Sequence, residues 1–246
     1  MRNIKLTISY DGTDFFGWQR QNEFRSVQQE LEEVIQKLNG GVEVACIGCS
    51  RTDSGVHALG QVASFRSNIT LPPDRFLYAL NGNLPEDVVV RSVEDVPDDF
   101  NANRLAKRKM YRYIIHDNKV PDVFQRKYSW HFPYARLDEV IMNQAAECLL
   151  GKHDFRCFET EWPNRKTSVR TITHLKITRV GEFLWLDIEA DGFLYNMVRS
   201  ITGTLVNIGR GYWPVEQMKQ ILEKGERAEA GPTSPAQGLF LMRITY

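Results

Sequence analysis

The sequence lacks an excess of charge, a disulfide framework and any long apolar run. Lys plus Arg number 31 and Asp plus Glu also number 31, giving a formal net charge of zero. That excludes a uniformly basic coat for nucleic acid. Four cysteines in 246 residues are too few for a disulfide scaffold, which points to a reducing, cytoplasmic setting. No apolar run approaches the roughly 18 residues of a membrane helix. The start, Met-Arg-Asn-Ile, lacks the charged-then-apolar shape of a signal peptide. Neither a Walker loop nor a G-x-G-x-x-G string occurs. What is present, 42% apolar and 25% charged residues, is ordinary for a globular chain of one large or two small domains.

Neutrality conceals segregation. Six acids (Glu86, Asp87, Glu94, Asp95, Asp98, Asp99) face one base, Arg91, before the sign reverses at Arg104, Lys107, Arg108, Lys109 and Arg112. A second acid-free basic stretch holds Arg165, Lys166, Arg170, Lys176 and Arg179. Basic residues interleaved with Tyr111 and Tyr113 suit phosphate contact and base stacking, although charge runs more often form a solvated strand face.

Periodicity gives the architecture. Ile4, Leu6, Ile8 and Tyr10 alternate with polar residues as in a half-buried strand. Ser26-Val-Gln-Gln29 is a capping box for a helix whose apolar face is Val27, Leu31, Val34, Ile35 and Leu38. Strands at residues 42–48 and 60–66, a helix at 74–81 and a strand from Val88 complete a β-α-β-β-α-β order, the ferredoxin-like arrangement. The second half repeats that order: a strand at 108–116, a helix at 138–149, strands at 169–179 and 183–190, and a helix at 194–208. That last helix carries the stripe Leu194, Val198, Ile201, Leu205 and Ile208. An extra helix at 214–224 and a Pro- and Gly-containing loop precede a final strand from Leu239. The expectation is an α+β protein of two ferredoxin-like (RRM-like) halves, residues 1–104 and 105–246. They would form a continuous antiparallel sheet, helices on one side, around a central active-site cleft.

The loop between the two central strands of the first half reads Ser50-Arg-Thr-Asp-Ser-Gly-Val-His-Ala58. Asp53 there suits a nucleophile or base, Arg51 an anion clamp, and Gly55 a residue with positive φ. The plainer alternative is an Asx-turn with Arg51 paired at the surface.

This loop resembles the signature of the tRNA pseudouridine synthase A family, and the resemblance extends along the chain. Tyr10-Asp-Gly-Thr and Phe16-Gly-Trp-Gln19 resemble the family's opening. Lys109-Met-Tyr-Arg-Tyr113 resembles its central strand, and His153-Asp-Phe155 with Phe158 and Val169-Arg-Thr-Ile172 its linking region. Phe193-Leu-Tyr-Asn-Met-Val-Arg199 resembles the last long helix, and Gly231-Pro-Thr-Ser-Pro-Ala-Gln-Gly-Leu239 the closing loop. The resemblance implies an isomerase that converts uridine to pseudouridine at nucleotides 38, 39 and 40 of the tRNA anticodon stem-loop, without metal or other cofactor, as a homodimer. It implies that Asp53 is the essential carboxylate, that Arg199 is its cationic partner and that Tyr111 stacks on the flipped uracil. Arg51 then fills the gap left by the base or holds adjacent phosphates. Tyr113 reads instead as a core residue, and His57 as structural, since it follows Val56 into the next strand. Two positions depart from the family: Ser50 replaces a common glycine, which would add strain if φ were positive there, and Cys157 stands where serine is usual.

Three other readings compete. Cys46-x-x-Cys49 suggests zinc, but Cys148 and Cys157 supply no second such pair. A non-catalytic RNA-binding module of ferredoxin-like fold is the stronger rival, and Asp53 is what distinguishes them, because such a module has no need of a sequestered carboxylate. A glycosidase is disfavoured, since the loop offers one acid rather than two.

Overall fold

The computed structural model describes residues 1–160 and 167–246. Among these residues run ten strands and five α-helices, a mixed α+β fold. The chain divides into two compact units, Met1–Lys107 with Phe240–Tyr246, and Arg108–Leu239. No described helix is long and apolar enough to cross a membrane.

The first unit runs β1 (Arg2–Tyr10), α1 (Val27–Leu38), β2 (Ile47–Gly48), β3 (His57–Ser67), α2 (Pro73–Asn81) and β4 (Val88–Val96). Strand β1 pairs antiparallel with β3 on one side and β4 on the other, and β2 joins β3, giving the order β4-β1-β3-β2. The alternation in β1 is realised: Ile4, Leu6, Ile8 and Tyr10 are buried while Lys5, Thr7 and Ser9 are half-buried. Ser26 caps α1 by accepting a hydrogen bond from the Gln29 N–H, and Val27, Leu31, Val34 and Ile35 face the core. The acidic block lies on and beside β4, where Glu94 pairs with Lys5 and Asp95 with Arg2 across the ladder. Strand β2 is shorter than the sequence suggests. The Cys46 N–H donates to Glu32 Oε1 and its carbonyl accepts from Gln28 Nε2, so side chains of α1 capture the backbone before the ladder begins.

The second unit contains β5 (Arg108–His116), β6 (Trp130–His131), α3 (Glu139–Ala146), β7 (Gly151–Asp154), β8 (Val169–Val180), β9 (Phe183–Ala190), α4 (Met197–Gly209) and α5 (Gln217–Lys224). Its sheet order is β5-β9-β8-β7, all antiparallel, with β6 parallel on β5. A last strand, β10 (Leu239–Thr245), closes the second β-α-β-β-α-β series in sequence. From Phe240 onward it belongs to the first unit, where it lies parallel to β3 at His57 and Ala58.

Much of the basic stretch is neutralised inside the second unit. Arg112 stands opposite Asp187 in the β5–β9 register and grips it twice, at 2.7 and 2.8 Å. Its guanidinium also covers the Trp185 ring at 4.0 Å, and the Asp187 hydrogen bonds raise its pKa. Arg108 reaches Glu189, while Arg179 pairs with Asp117 and Glu139. Arg165 and Lys166 lie outside the described residues.

Helix α4 departs from the amphipathic form its stripe suggests. Every residue in it except Arg199 is buried, the pattern of a helix sunk in a core. The second face is covered by the loop from Gly231 to Gly238. There the Gly231 N–H donates to Thr204 Oγ1, the Ser234 N–H donates to the Arg199 carbonyl, and the Pro232 carbonyl lies against Gly203. A Cβ on Gly203 would stand 1.8 Å from that carbonyl oxygen. Gly203→Ala should therefore force the loop off the helix and cost about 1–3 kcal/mol or more, read as a lower urea midpoint at unchanged slope.

Candidate active site

The loop from Cys49 to Val56 is built by fastening its backbone at almost every step. At its start the Gln61 side chain, fully buried, imitates a strand partner. Its Oε1 accepts from the Ser50 and Val62 N–H groups, and its Nε2 donates to the Ser50 carbonyl at 2.6 Å. Thr52 is held twice. Its hydroxyl shares a 2.7 Å hydrogen bond with Tyr10, and its carbonyl accepts the Trp18 N–H. Burial pushes the Tyr10 hydroxyl well above its ordinary pKa, so it stays neutral and available for that bond. The Gly55 N–H and Ser54 Oγ both donate to the Phe15 carbonyl. Gly55 adopts φ 75°, the left-handed turn conformation expected of it, and the Val56 N–H returns to the Asp53 carbonyl.

The partner of this loop is the segment from Asp11 to Trp18, and glycine permits the approach. A Cβ on Gly12 would stand 2.1 Å from the Val56 carbonyl oxygen, and one on Gly17, whose φ is +89°, 2.4 Å from that of Thr52. His57 belongs to this scaffold. It is buried, stacks on Phe240 at 4.7 Å, and accepts the Gly12 N–H at Nδ1 over 3.0 Å. An Asp11 oxygen also lies 3.2 Å from Nδ1, which would form an ion pair only with protonated imidazole. The bond from Gly12 needs a lone pair on Nδ1, and Asp11 also accepts from Thr13.

On this frame Asp53 is half-buried and Arg51 exposed. Ser50 is buried, but its φ is not positive: Asn196 alone among the described non-glycine residues has that conformation. The strain anticipated for serine at position 50 is therefore absent.

Tyr111 and Arg199 belong to the second unit. Tyr111 is nearly buried on the same face of β5 as Tyr113 and Ile115, with its ring edge-on to Phe193 at 5.2 Å. Tyr113 is a core residue whose hydroxyl donates to the Pro235 carbonyl. Arg199 is aimed by Nε donating to the Ser234 carbonyl at 2.7 Å and Nη1 donating to Asn196 Oδ1 at 2.8 Å. Asn196 holds φ 60° to do this, a conformation that asparagine tolerates better than most residues.

Several of these residues escape sequence reasoning. Gln61 sits at a buried position of a mostly apolar strand, and that misplaced amide was its signal. Asn196 and the two close-approach glycines lie within segments that carry the family resemblance, but nothing local announces their roles. Among the described residues no three His, Cys, Asp or Glu side chains gather as a metal site. Cys46 and Cys49 are buried, and burial pushes the Cys46 thiol up, away from the thiolate a metal would need.

An α+β protein that presents a half-buried carboxylate on so fixed a loop has the form of an enzyme rather than of a passive scaffold. Comparison with known proteins agrees. A family model described as tRNA pseudouridine synthase matches residues 6–103 and 145–246. The tRNA pseudouridine synthase A of Acetivibrio thermocellus is 46% identical over 246 residues, all of both chains. The tRNA pseudouridine synthase A 2 of Clostridium perfringens is 45% identical, again over all of both chains. That of Bacillus licheniformis is 45% identical over 99% of this chain and 98% of its own. A solved structure of a Cbf5-Nop10-Gar1 complex is a more distant likeness, 12% identical with a TM-score of 0.41, covering 97% of this chain and 48% of that one. The chain belongs to the tRNA pseudouridine synthase family, a family of isomerases.

Replacing Gln61 by leucine would remove the buried amide that pairs with the Ser50 N–H and carbonyl and with the Val62 N–H. The expected loss is about 2 kcal/mol or more in urea unfolding, with faster amide hydrogen exchange at Ser50. Unchanged exchange there would remove Gln61 from the frame.

Proposed function

We propose that this protein isomerises uridine to pseudouridine in the anticodon stem-loop of tRNA, at nucleotides 38, 39 and 40, with Asp53 as the essential carboxylate. In this reaction the N1–C1′ bond breaks, the uracil turns over, and C1′ joins C5. C5 gives up its proton and N1 gains one, so the change is redox neutral. Asp53 acts ionised, whether it attacks sugar or base or stabilises a cationic sugar. Tyr111 stacks on the extruded uracil. Arg199 binds the substrate as a fixed cation, and Arg51 fills the gap the base leaves or holds an adjacent phosphate.

The observation that carries this reading is the fastening of the Asp53 loop. Ser50, Thr52, Ser54 and Gly55 are each tied to the first unit by backbone or hydroxyl hydrogen bonds. A carboxylate held this way is already oriented for attack, and fixed orientation of a reacting group lowers a barrier substantially. Membership of the family supports the same assignment. The reaction needs no metal or nucleotide cofactor. We further propose that the protein works in the cytoplasm as a homodimer.

Asp53→Asn should abolish tritium release from tRNA transcripts labelled at C5 of uridine, while leaving the dissociation constant for tRNA within a few-fold of wild type. Turnover near wild type in that variant would sink the mechanism. If the wild-type protein bound tRNA without releasing tritium, the competing RNA-binding module would replace this reading. Light scattering at micromolar protein should give twice the chain mass of 28.4 kDa, and a monomeric mass would count against the dimer.

A further inference from the structure

The loop that supports Asp53 also carries a feature that its supporting role does not use. Phe16 and Phe24 are 50% and 42% exposed, yet their rings stack on each other at 4.3 Å between centroids and 30° between planes. Each is the chain neighbour of a locked residue. Phe15 is buried, and the Arg25 guanidinium lies over its ring at 4.2 Å while gripping Asp87 with both Nη atoms and Glu30 through Nε. The Phe16 N–H donates to the Arg25 carbonyl. The inner pair, Phe15 and Arg25, thus anchors the outer pair, Phe16 and Phe24.

The position of this outer pair matters. The Phe15 carbonyl accepts from Ser54 and Gly55, and a Cβ on Gly17 would stand 3.1 Å from the Asp53 carbonyl carbon. Phe16 lies between those two contacts, one Cα step of about 3.8 Å from Gly17. Successive bases of a stacked strand are separated by about 3.4 Å. A strand whose target nucleotide reaches Asp53 has the backbone that carries the phenylalanine pair as its neighbour. Exposed Arg51 supplies positive charge on the Asp53 loop, while Arg20, after Trp18, is paired with Glu32. A flat, fixed aromatic surface beside cationic side chains is the chemistry that holds an unpaired base by stacking.

We infer that Phe16 and Phe24 form a stacking platform for one unpaired nucleobase adjacent in the RNA to the target uridine. The inference rests on the proposed function of the Asp53 loop and adds to it a residue pair that sets the register of the strand. The platform selects for an unpaired base and tolerates its identity, because every base offers a π-face.

The test uses full-length protein and tRNA transcripts in which single anticodon-loop nucleotides are replaced by 2-aminopurine, whose fluorescence falls on stacking. Wild-type protein should quench the probe at one position. The Phe16→Leu/Phe24→Leu double variant should lose that quenching and raise KM for tritium release by roughly 5- to 150-fold, the value of one stacked base. The loss should fall on KM more than on kcat, and Phe16→Tyr/Phe24→Tyr should restore both readings. Wild-type tritium release with no quenched position, or a leucine variant that keeps its quenching and KM, would overturn the platform. Quenching without tritium release would instead refute the isomerase assignment and leave the platform standing.

Discussion

Two glycines hold the first unit's chemistry together. Gly12 and Gly17 let the segment after β1 lie backbone against backbone on the Asp53 loop, so closely that a single methyl at either would collide with a carbonyl oxygen. Because the approach is that near, the Trp18 N–H reaches Thr52, the Phe15 carbonyl reaches Ser54 and Gly55, and the Gly12 N–H reaches His57. Each bond is modest, about 1 kcal/mol net. Their combined effect is to leave the loop one arrangement.

Arg199 is positioned by the opposite means. The Asp53 loop is secured by hydrogen bonds to irregular backbone, whereas Arg199 is carried on a helix with no other residue outside the core. Its backbone cannot shift without disturbing a packed interior, and interiors at crystal-like density resist such shifts. The unusual backbone of Asn196 and the Ser234 carbonyl then fix the side chain. One proposed site residue owes its place to polar bonds and the other's backbone to apolar packing, so solvent conditions that weaken one need not weaken the other.

How far the sequence disclosed this depends on the range of each interaction. The β1 alternation, the Ser26 cap and the α4 stripe are patterns within a dozen residues, and they read correctly because the periods of strand and helix are local. The burial of α4 on its second face did not read, because the covering loop arrives about thirty positions later and the helix's own signal there is a few small residues, Ser200, Gly203 and Thr204. Strand β2 was overestimated for a similar reason. Its backbone partners are the side chains of Gln28 and Glu32, which no propensity anticipates. The pairing within the basic stretch did not read either, because Arg112 is matched by Asp187 only across a strand register. At the site itself, the loop motif pointed to Asp53, whereas Gln61, which grips the loop's first residue, became visible only once the chain had folded.

The seven residues from Phe240 to Tyr246 belong to the first unit although more than a hundred residues of the second intervene. They bring the Phe240 ring onto His57, the Thr245 carbonyl to the Lys107 N–H, and the Tyr246 hydroxyl to the Ala102 carbonyl. On a ribosome, where roughly 5–20 residues are added each second, the unit that begins first is completed last. A nascent chain therefore carries the Asp53 loop for roughly ten to forty seconds before the ring that backs His57 exists.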